Sequence, residues 1–265
     1  MLLEIENLDV SFKGDDGKTV EAAKNVSLSL DRGEVLGIVG ESGSGKSSVA
    51  MSVARLLPSP PAFWPRGRIL FDGEDVLSMP VARLRELRGK RIGVVFQDPI
   101  GSLSPLHRIG DQIAETVLLH ERVSKAAARA MAVEWLGKVG IPAPAERARA
   151  YPHELSGGMQ QRVVIAMALV LGPDLVIADE PTTALDATVQ AQVLDLMKSL
   201  MSGNSGLLLI SHDLGVVSRM ATKIAVMKNG EVVERAGDPA AFFASPKHEY
   251  SRALVREAER MELKR

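Results

Sequence analysis

Residues 40–47 read Gly-Glu-Ser-Gly-Ser-Gly-Lys-Ser and directly follow the apolar run Val35-Leu36-Gly37-Ile38-Val39. The pattern is G-x-x-x-x-G-K-[ST], and it commits the chain to a strand, a tight phosphate-binding turn and a helix in immediate succession. Gly40, Gly43 and Gly45 let the backbone turn and aim its N–H groups inward at phosphate oxygens. Glu41, Ser42 and Ser44 supply the intervening backbone, and Ser48 follows the motif. A helix starting near Lys46 adds its positive dipole end. Lys46 brings a point charge to the β and γ phosphates of a nucleoside triphosphate, and Ser47 offers a hydroxyl to Mg²⁺. The strand before the loop and the helical segment after it set this stretch apart from a glycine-rich turn that binds nothing.

The rest of the composition narrows the class. At 265 residues the chain suffices for one large domain, or one domain with an inserted subdomain. A net charge of −1 gives no global basic field for nucleic acid. With no cysteine, disulfides, thiolate metal sites and Fe–S ligation are excluded. The N-terminus, MLLEIENLDV, carries acidic residues where a signal peptide has lysine or arginine. The longest apolar stretch, Val163 to Gly172, is about half of the roughly twenty residues a membrane span needs. A membrane role therefore has to come through a partner.

Short apolar runs punctuate the chain at Val35–Val39, Arg91–Phe96, Leu175–Ala178, Leu207–Ile210 and Ile224–Met227. They lack polar alternation, as strands buried on both faces do. Helical stretches such as Ser47–Leu57 and Ala187–Met201 separate them, which predicts a mainly parallel α/β sheet. Ligands of such sheets sit beyond the carboxyl ends of the strands. Here those ends deliver the phosphate loop, Gln97, Asp179-Glu180 and Ser211-His212-Asp213.

An acidic pair after Leu-Val-Ile-Ala is costly if buried without a partner. A metal ion relieves that cost for Asp179, directly or through water. Glu180 is placed to accept a proton from an attacking water. A helix cap, with Pro181-Thr182 opening the helix, is the structural alternative. Leu155-Ser156-Gly157-Gly158 reads as a helix N-terminus with a serine cap and two glycines allowing close backbone approach. It is a second anion site, far along the chain from the first. Two copies facing head to tail would each lend that site to the other's nucleotide.

Phosphate loop, Gln97, Leu155-Ser156-Gly157-Gly158, Asp179-Glu180, Ala184-Leu185-Asp186 and His212 occur in the order found in ATP-binding cassette (ABC) ATPases, and the chain resembles that family over nearly its whole length. The resemblance implies an α/β fold: a P-loop NTPase core with a mainly parallel sheet, an N-terminal antiparallel β region and an inserted helical subdomain. One cassette domain spans 1–265, with the core at about 1–97 and 163–265 and the helical part at about 98–162. ATP and Mg²⁺ are the implied cofactors. Two nucleotides are sandwiched in an ATP-driven dimer, each between one phosphate loop and Ser156, Gly157 and Gly158 of the other subunit. By the same resemblance Gln97 contacts Mg²⁺ and senses the membrane partner, and Asp186 bridges the subunits. His212 contacts the γ-phosphate and helps to hold the attacking water. The signature departs from the commonest pattern at Met159, with Gln160 next, which leaves the phosphate contacts of Ser156 and the backbone intact. With 4% aromatic residues, Phe12 is the one candidate ahead of the phosphate loop to stack on adenine.

Asp98–Arg162 is helix-rich, and its Asp98-to-Leu106 segment has the proline and glycine content of a loop. Ser124–Val139 reads as an amphipathic helix with Ala127, Met131 and Leu136 on its apolar side. In cassette ATPases this region receives a short helix of the membrane subunit. The wording QDPIGSLSPLHRIGDQI resembles the branch serving oligopeptide, dipeptide and nickel importers. So does Ser245-Pro246-Lys247-His248-Glu249-Tyr250-Ser251-Arg252-Ala253-Leu254, with Glu249 in place of that branch's proline. Many peptide-importing members continue beyond this point with a cysteine cluster, whereas nickel- or metallophore-importing members are shorter.

The expected function is the ATP-hydrolysing subunit of an importer of peptides or of nickel and its chelates. Its expected partners are a second cassette subunit, two multi-span permeases and, indirectly, an extracytoplasmic binding protein. The expected location is the cytoplasmic face of a bacterial-type inner membrane, held peripherally. An ATPase of a soluble carbon–phosphorus lyase-type assembly is the alternative. A DNA- or ribosome-acting cassette predicts long coiled coils or paired cassettes, which this sequence lacks.

Overall fold

The computed structural model describes residues 1–182 and 187–262. These form two compact units, Met1–Leu84 with Gly206–Arg265 and Arg85–Ser205. In chain order the first unit opens with β1 (Leu3–Lys13), β2 (Thr19–Leu30), β3 (Val35–Val39), α1 (Lys46–Val53), β4 (Ala62–Phe63), β5 (Arg68–Phe71) and β6 (Glu74–Asp75). Helix α2 (Val81–Leu87) carries the chain into the second unit. There follow β7 (Ile92–Val95), α3 (Pro99–Ser102), α4 (Ile109–His120), α5 (Lys125–Lys138), α6 (Pro144–Arg147), α7 (Gly157–Leu169), β8 (Leu175–Asp179) and α8 (Ala187–Leu200). The chain returns through β9 (Gly206–Ser211), α9 (Leu214–Met220), β10 (Lys223–Lys228), β11 (Glu231–Ala236), α10 (Pro239–Ala244) and α11 (Glu249–Glu262).

The first unit contains two kinds of pairing. β1 is antiparallel to β2 on one side and to β5 on the other, with Leu3 opposite both Leu30 and Phe71. Its buried apolar residues are Leu3 and Ile5, then Leu8 and Val10, so the alternation changes phase in the middle. Asn7 makes the change: at φ 46 it sits in the left-handed region that asparagine tolerates, beside a register shift in the pairing with β2. β10, β3 and β9 are parallel neighbours, with Ile224 opposite Gly37 and Gly37 opposite Leu209. All six residues of β9 are buried, in line with the unbroken apolar run from which the strand is predicted. One apolar cluster joins Val39 of β3 and Val226 of β10 to Val217, Phe242, Tyr250 and Val255, so the C-terminal helices α10 and α11 pack against the strand that feeds the phosphate loop.

In the second unit β7 and β8 are parallel, with Val95 opposite Ala178. The longest apolar stretch of the sequence falls largely in α7, where Val163, Val164, Ile165, Ala166, Ala168 and Leu169 are buried, so it is a core helix. Three details differ from the sequence reading. The Asp98-to-Leu106 segment, expected as a loop, contains the short helix α3, which Asp98 caps by accepting from the Ile100 N–H at 2.9 Å and which Pro99 opens at its first position, where no N–H is needed. The buried stripe of α5 is Ala128, Ala132 and Leu136, a strict four-residue spacing, while Ala127 is exposed. Helix α1 ends at Val53 rather than near Leu57. Arg55 takes a left-handed conformation at φ 47, and the Leu56 N–H donates to Met51 O at 2.8 Å, which closes the last turn. Among the described residues no helix is long and apolar enough to cross a membrane.

Candidate functional site

The phosphate loop follows β3 in the first unit. Gly40, Gly43 and Gly45 have φ values of 152, 79 and 98, which side-chain-bearing residues rarely adopt. A Cβ at Gly40 would overlap the Met227 carbonyl oxygen, and one at Gly45 would overlap that of Ala22. Glycine is thus required twice, by conformation and by the close approach of two neighbouring segments. Lys46, 4% exposed, turns its ammonium back into the loop. Its Nζ donates to Gly40 O at 2.8 Å, Glu41 O at 2.7 Å and Ser44 Oγ at 3.3 Å. Ser47 lies exposed on the first turn of α1, and the rim formed by Glu41, Ser42 and Gly43 is also open to solvent. The β3–β9 register places Val39 opposite Ser211, so Gly40 and the exposed His212 leave adjacent strands at the same edge. Asp213 caps α9, its carboxylate accepting from the Gly215 N–H at 2.8 Å.

The second unit makes a matching pair of strand ends. With Val95 opposite Ala178, the residues after β7 stand beside Asp179 and Glu180. Gln97 Nε2 donates to Glu180 Oε2 at 3.3 Å. Asp179 is 8% exposed, and Glu180 is held in the left-handed region at φ 45. A non-glycine residue there costs about 1–2 kcal/mol, the kind of strain that collects at working sites. Ser156 caps α7, its Oγ accepting from the Met159 N–H at 3.4 Å. Gly157 has nothing within 4 Å of where a Cβ would stand, so the start of α7 is open to an incoming group. Gln97, Asp98, Pro99, Ile100, Gly157 and Gln161 line part of a small apolar pocket at this place. Asp186, with Ala184 and Leu185, lies outside the described residues.

The Ser47 hydroxyl in the first unit, and the Asp179 carboxylate and Gln97 amide oxygen in the second, are each hard oxygen donors of the kind that Mg²⁺ takes. Among the described residues no cluster of three His, Cys, Asp or Glu could hold a metal by itself.

Phe12 is half-buried in β1, opposite Val20 and Ala62. A residue without an assigned role reaches the phosphate loop from the other end of the chain. The Tyr250 hydroxyl of α11 accepts from the Glu41 N–H at 2.9 Å. Burial pushes the phenol's pKa up, against the opposing effect of the Glu41 N–H, so Tyr250 remains protonated at neutral pH. The tail's resemblance to a motif was the one signal at this position, and periodicity alone gives a polar helix.

Comparison with known proteins agrees with this geometry. The family model described as ABC transporter matches residues 23–183. The oligopeptide transport ATP-binding protein OppD of Bacillus subtilis is 49% identical over 255 residues, covering 96% of this chain and 71% of OppD. The dipeptide transport ATP-binding protein DppD of the same organism is 46% identical over 263 residues, covering 99% of this chain and 78% of DppD. Among solved structures, the dimeric ATP-binding cassette MJ0796 in a post-hydrolysis state with ADP and phosphate aligns with a TM-score of 0.78 at 29% identity, over 88% of this chain and 97% of that one. Sequence, fold and strand-end chemistry converge, and the chain belongs to the ABC transporter family.

Proposed function

We propose that this chain is the ATP-hydrolysing subunit of a peptide importer. The observation that carries the reading is the 49% identity to an oligopeptide transport ATP-binding protein across 96% of the chain. Lys46 and the loop amides bind the triphosphate, and Ser47, Asp179 and Gln97 are the ligands available to Mg²⁺. When bound, that ion supplies charge neutralisation at the β and γ phosphates. Glu180 accepts the proton of the attacking water, and the Gln97 amide orients its carboxylate. His212 donates to the γ-phosphate from the end of β9. Phe12 stacks on adenine. Asp186 and the Ser156–Gly158 loop act across a dimer of cassettes, where the loop completes the site of the partner subunit. The capped, open start of α7 supports that role, because it offers helix N–H groups to an anion from outside the chain.

The helical unit also supports a protein partner. Ile100 is 71% exposed, Leu106 81% and Leu119 73%, three large apolar side chains in solvent. Leu106 belongs to a loop fixed by Gln112, whose amide bonds Ser104 N, Ser104 O and His107 O at 2.8, 3.0 and 2.9 Å. A rigid loop presenting an apolar tip is suited to docking. We assign its partner as the cytoplasmic side of a permease pair, which keeps the cassette peripheral at the inner membrane face and leaves cargo choice to the permeases and an external binding protein. Purification of the chain with its native partners tests this. Two multi-span permeases should co-elute, and peptide delivered by the binding protein should raise ATP turnover in proteoliposomes. Co-elution with soluble phosphonate-processing enzymes instead would overturn the transport reading.

A further inference from the structure

The tail segment Ser245–Leu254 stays outside the nucleotide chemistry just described, yet its tyrosine touches the phosphate loop. Tyr250 is 7% exposed, and its ring lies under the Lys228 ammonium, 4.7 Å from the ring centroid. Its place is fixed from β11. The two Glu234 carboxylate oxygens accept from the Lys247 and His248 N–H groups, each at 2.8 Å, in the turn just before α11. His248 Nδ1 then accepts from the Tyr250 N–H at 3.1 Å. A ring so held has little freedom to move its hydroxyl.

The partner of that hydroxyl is specific. The Glu41 N–H belongs to the same peptide unit as the Gly40 carbonyl, and that carbonyl accepts from Lys46 Nζ. One rigid peptide plane therefore carries Tyr250 on its N–H side and the ammonium on its C=O side. Hydrogen bonds in series through a peptide polarise one another.

We propose that Tyr250 is a positioning residue for nucleotide binding, setting the Gly40–Glu41 peptide and through it the phosphate-loop lysine. The proposal rests on the reading of Lys46 as the phosphate ligand. It gives the C-terminal segment a direct line to the nucleotide, so that displacement of α11 loosens the loop.

The test is a double-mutant cycle in the full chain, with ADP and Mg²⁺ as the probe in calorimetry. Tyr250→Phe keeps the ring, its packing and its contact with Lys228 but removes the hydroxyl. The ADP Kd should rise by about 3–10-fold, the scale of one hydrogen bond. On a Lys46→Ala background the same substitution should change Kd by less than about twofold, because the group it acts through is gone. An unchanged Kd in the first case, or an undiminished loss in the second, overturns the proposal. A second measurement needs no variant. In the nucleotide-free parent chain, the Glu41 amide should be protected from hydrogen exchange despite its exposed side chain, and exchange at the rate of an unstructured peptide would contradict the proposal. If ADP does not bind the parent at all, the nucleotide-site reading fails, whereas normal parental binding with an inert Tyr250→Phe removes the positioning role alone.

Discussion

Glu180 carries the heaviest chemical assignment of any single residue in the chain. Its carboxylate is oriented by Gln97 and its backbone is held at φ 45. Glu180→Gln keeps size and hydrogen bonding but cannot take a proton. ATP affinity should persist while turnover falls by about 10²–10⁴-fold, the usual contribution of a general base. A steady-state ATPase assay beside a binding isotherm checks both halves. Lys46→Ala removes a buried charge that the loop carbonyls hold ready, so affinity and turnover should fall together, measured by calorimetry. The phosphate loop and the acidic pair stand out in the sequence because each is a local pattern within a few positions, whereas a strand-end glutamine such as Gln97 is singled out only by the resemblance to the cassette family. Tyr250 was not legible, because its role depends on a contact with Glu41 across 209 positions that no local pattern encodes.

At the scale of elements, the parallel strands were the readable part. β3, β8 and β9 are apolar runs buried on both faces, and their limits differ from the sequence reading by a residue or less. The antiparallel strand β1 is harder to see, because the left-handed Asn7 shifts its alternation from odd to even positions and breaks the period-two pattern. Leu209→Ala in the fully buried β9 should cost about 2–5 kcal/mol, measured by chemical denaturation. The start of α7 allows a finer separation of structure from function. Aspartate caps helices as well as serine does, so Ser156→Asp should leave stability within about 0.5 kcal/mol of the parent. The same change sets a negative charge at the proposed γ-phosphate contact, and turnover should collapse. A parallel loss of melting temperature and activity would mean that Ser156 serves the helix alone.

For the whole molecule, the assigned groups divide between the two units. Lys46, Ser47 and His212 belong to one, and Gln97, Ser156, Asp179 and Glu180 to the other. In the proposed dimer Ser156 serves a nucleotide held by a second copy. Mixed dimers expose that requirement. Pairing a Lys46→Ala subunit with a Ser156→Arg subunit puts both lesions in one composite site and leaves the other whole, so some turnover should survive that neither homodimer shows. The most direct measurement is the structure of Glu180→Gln with ATP and Mg²⁺. The expected result is a closed pair in which the partner's Ser156 lies within hydrogen-bond reach of the γ-phosphate bound at Lys46. A closed, ATP-bound complex in which Ser156 and Lys46 of the same chain surround one nucleotide would contradict it.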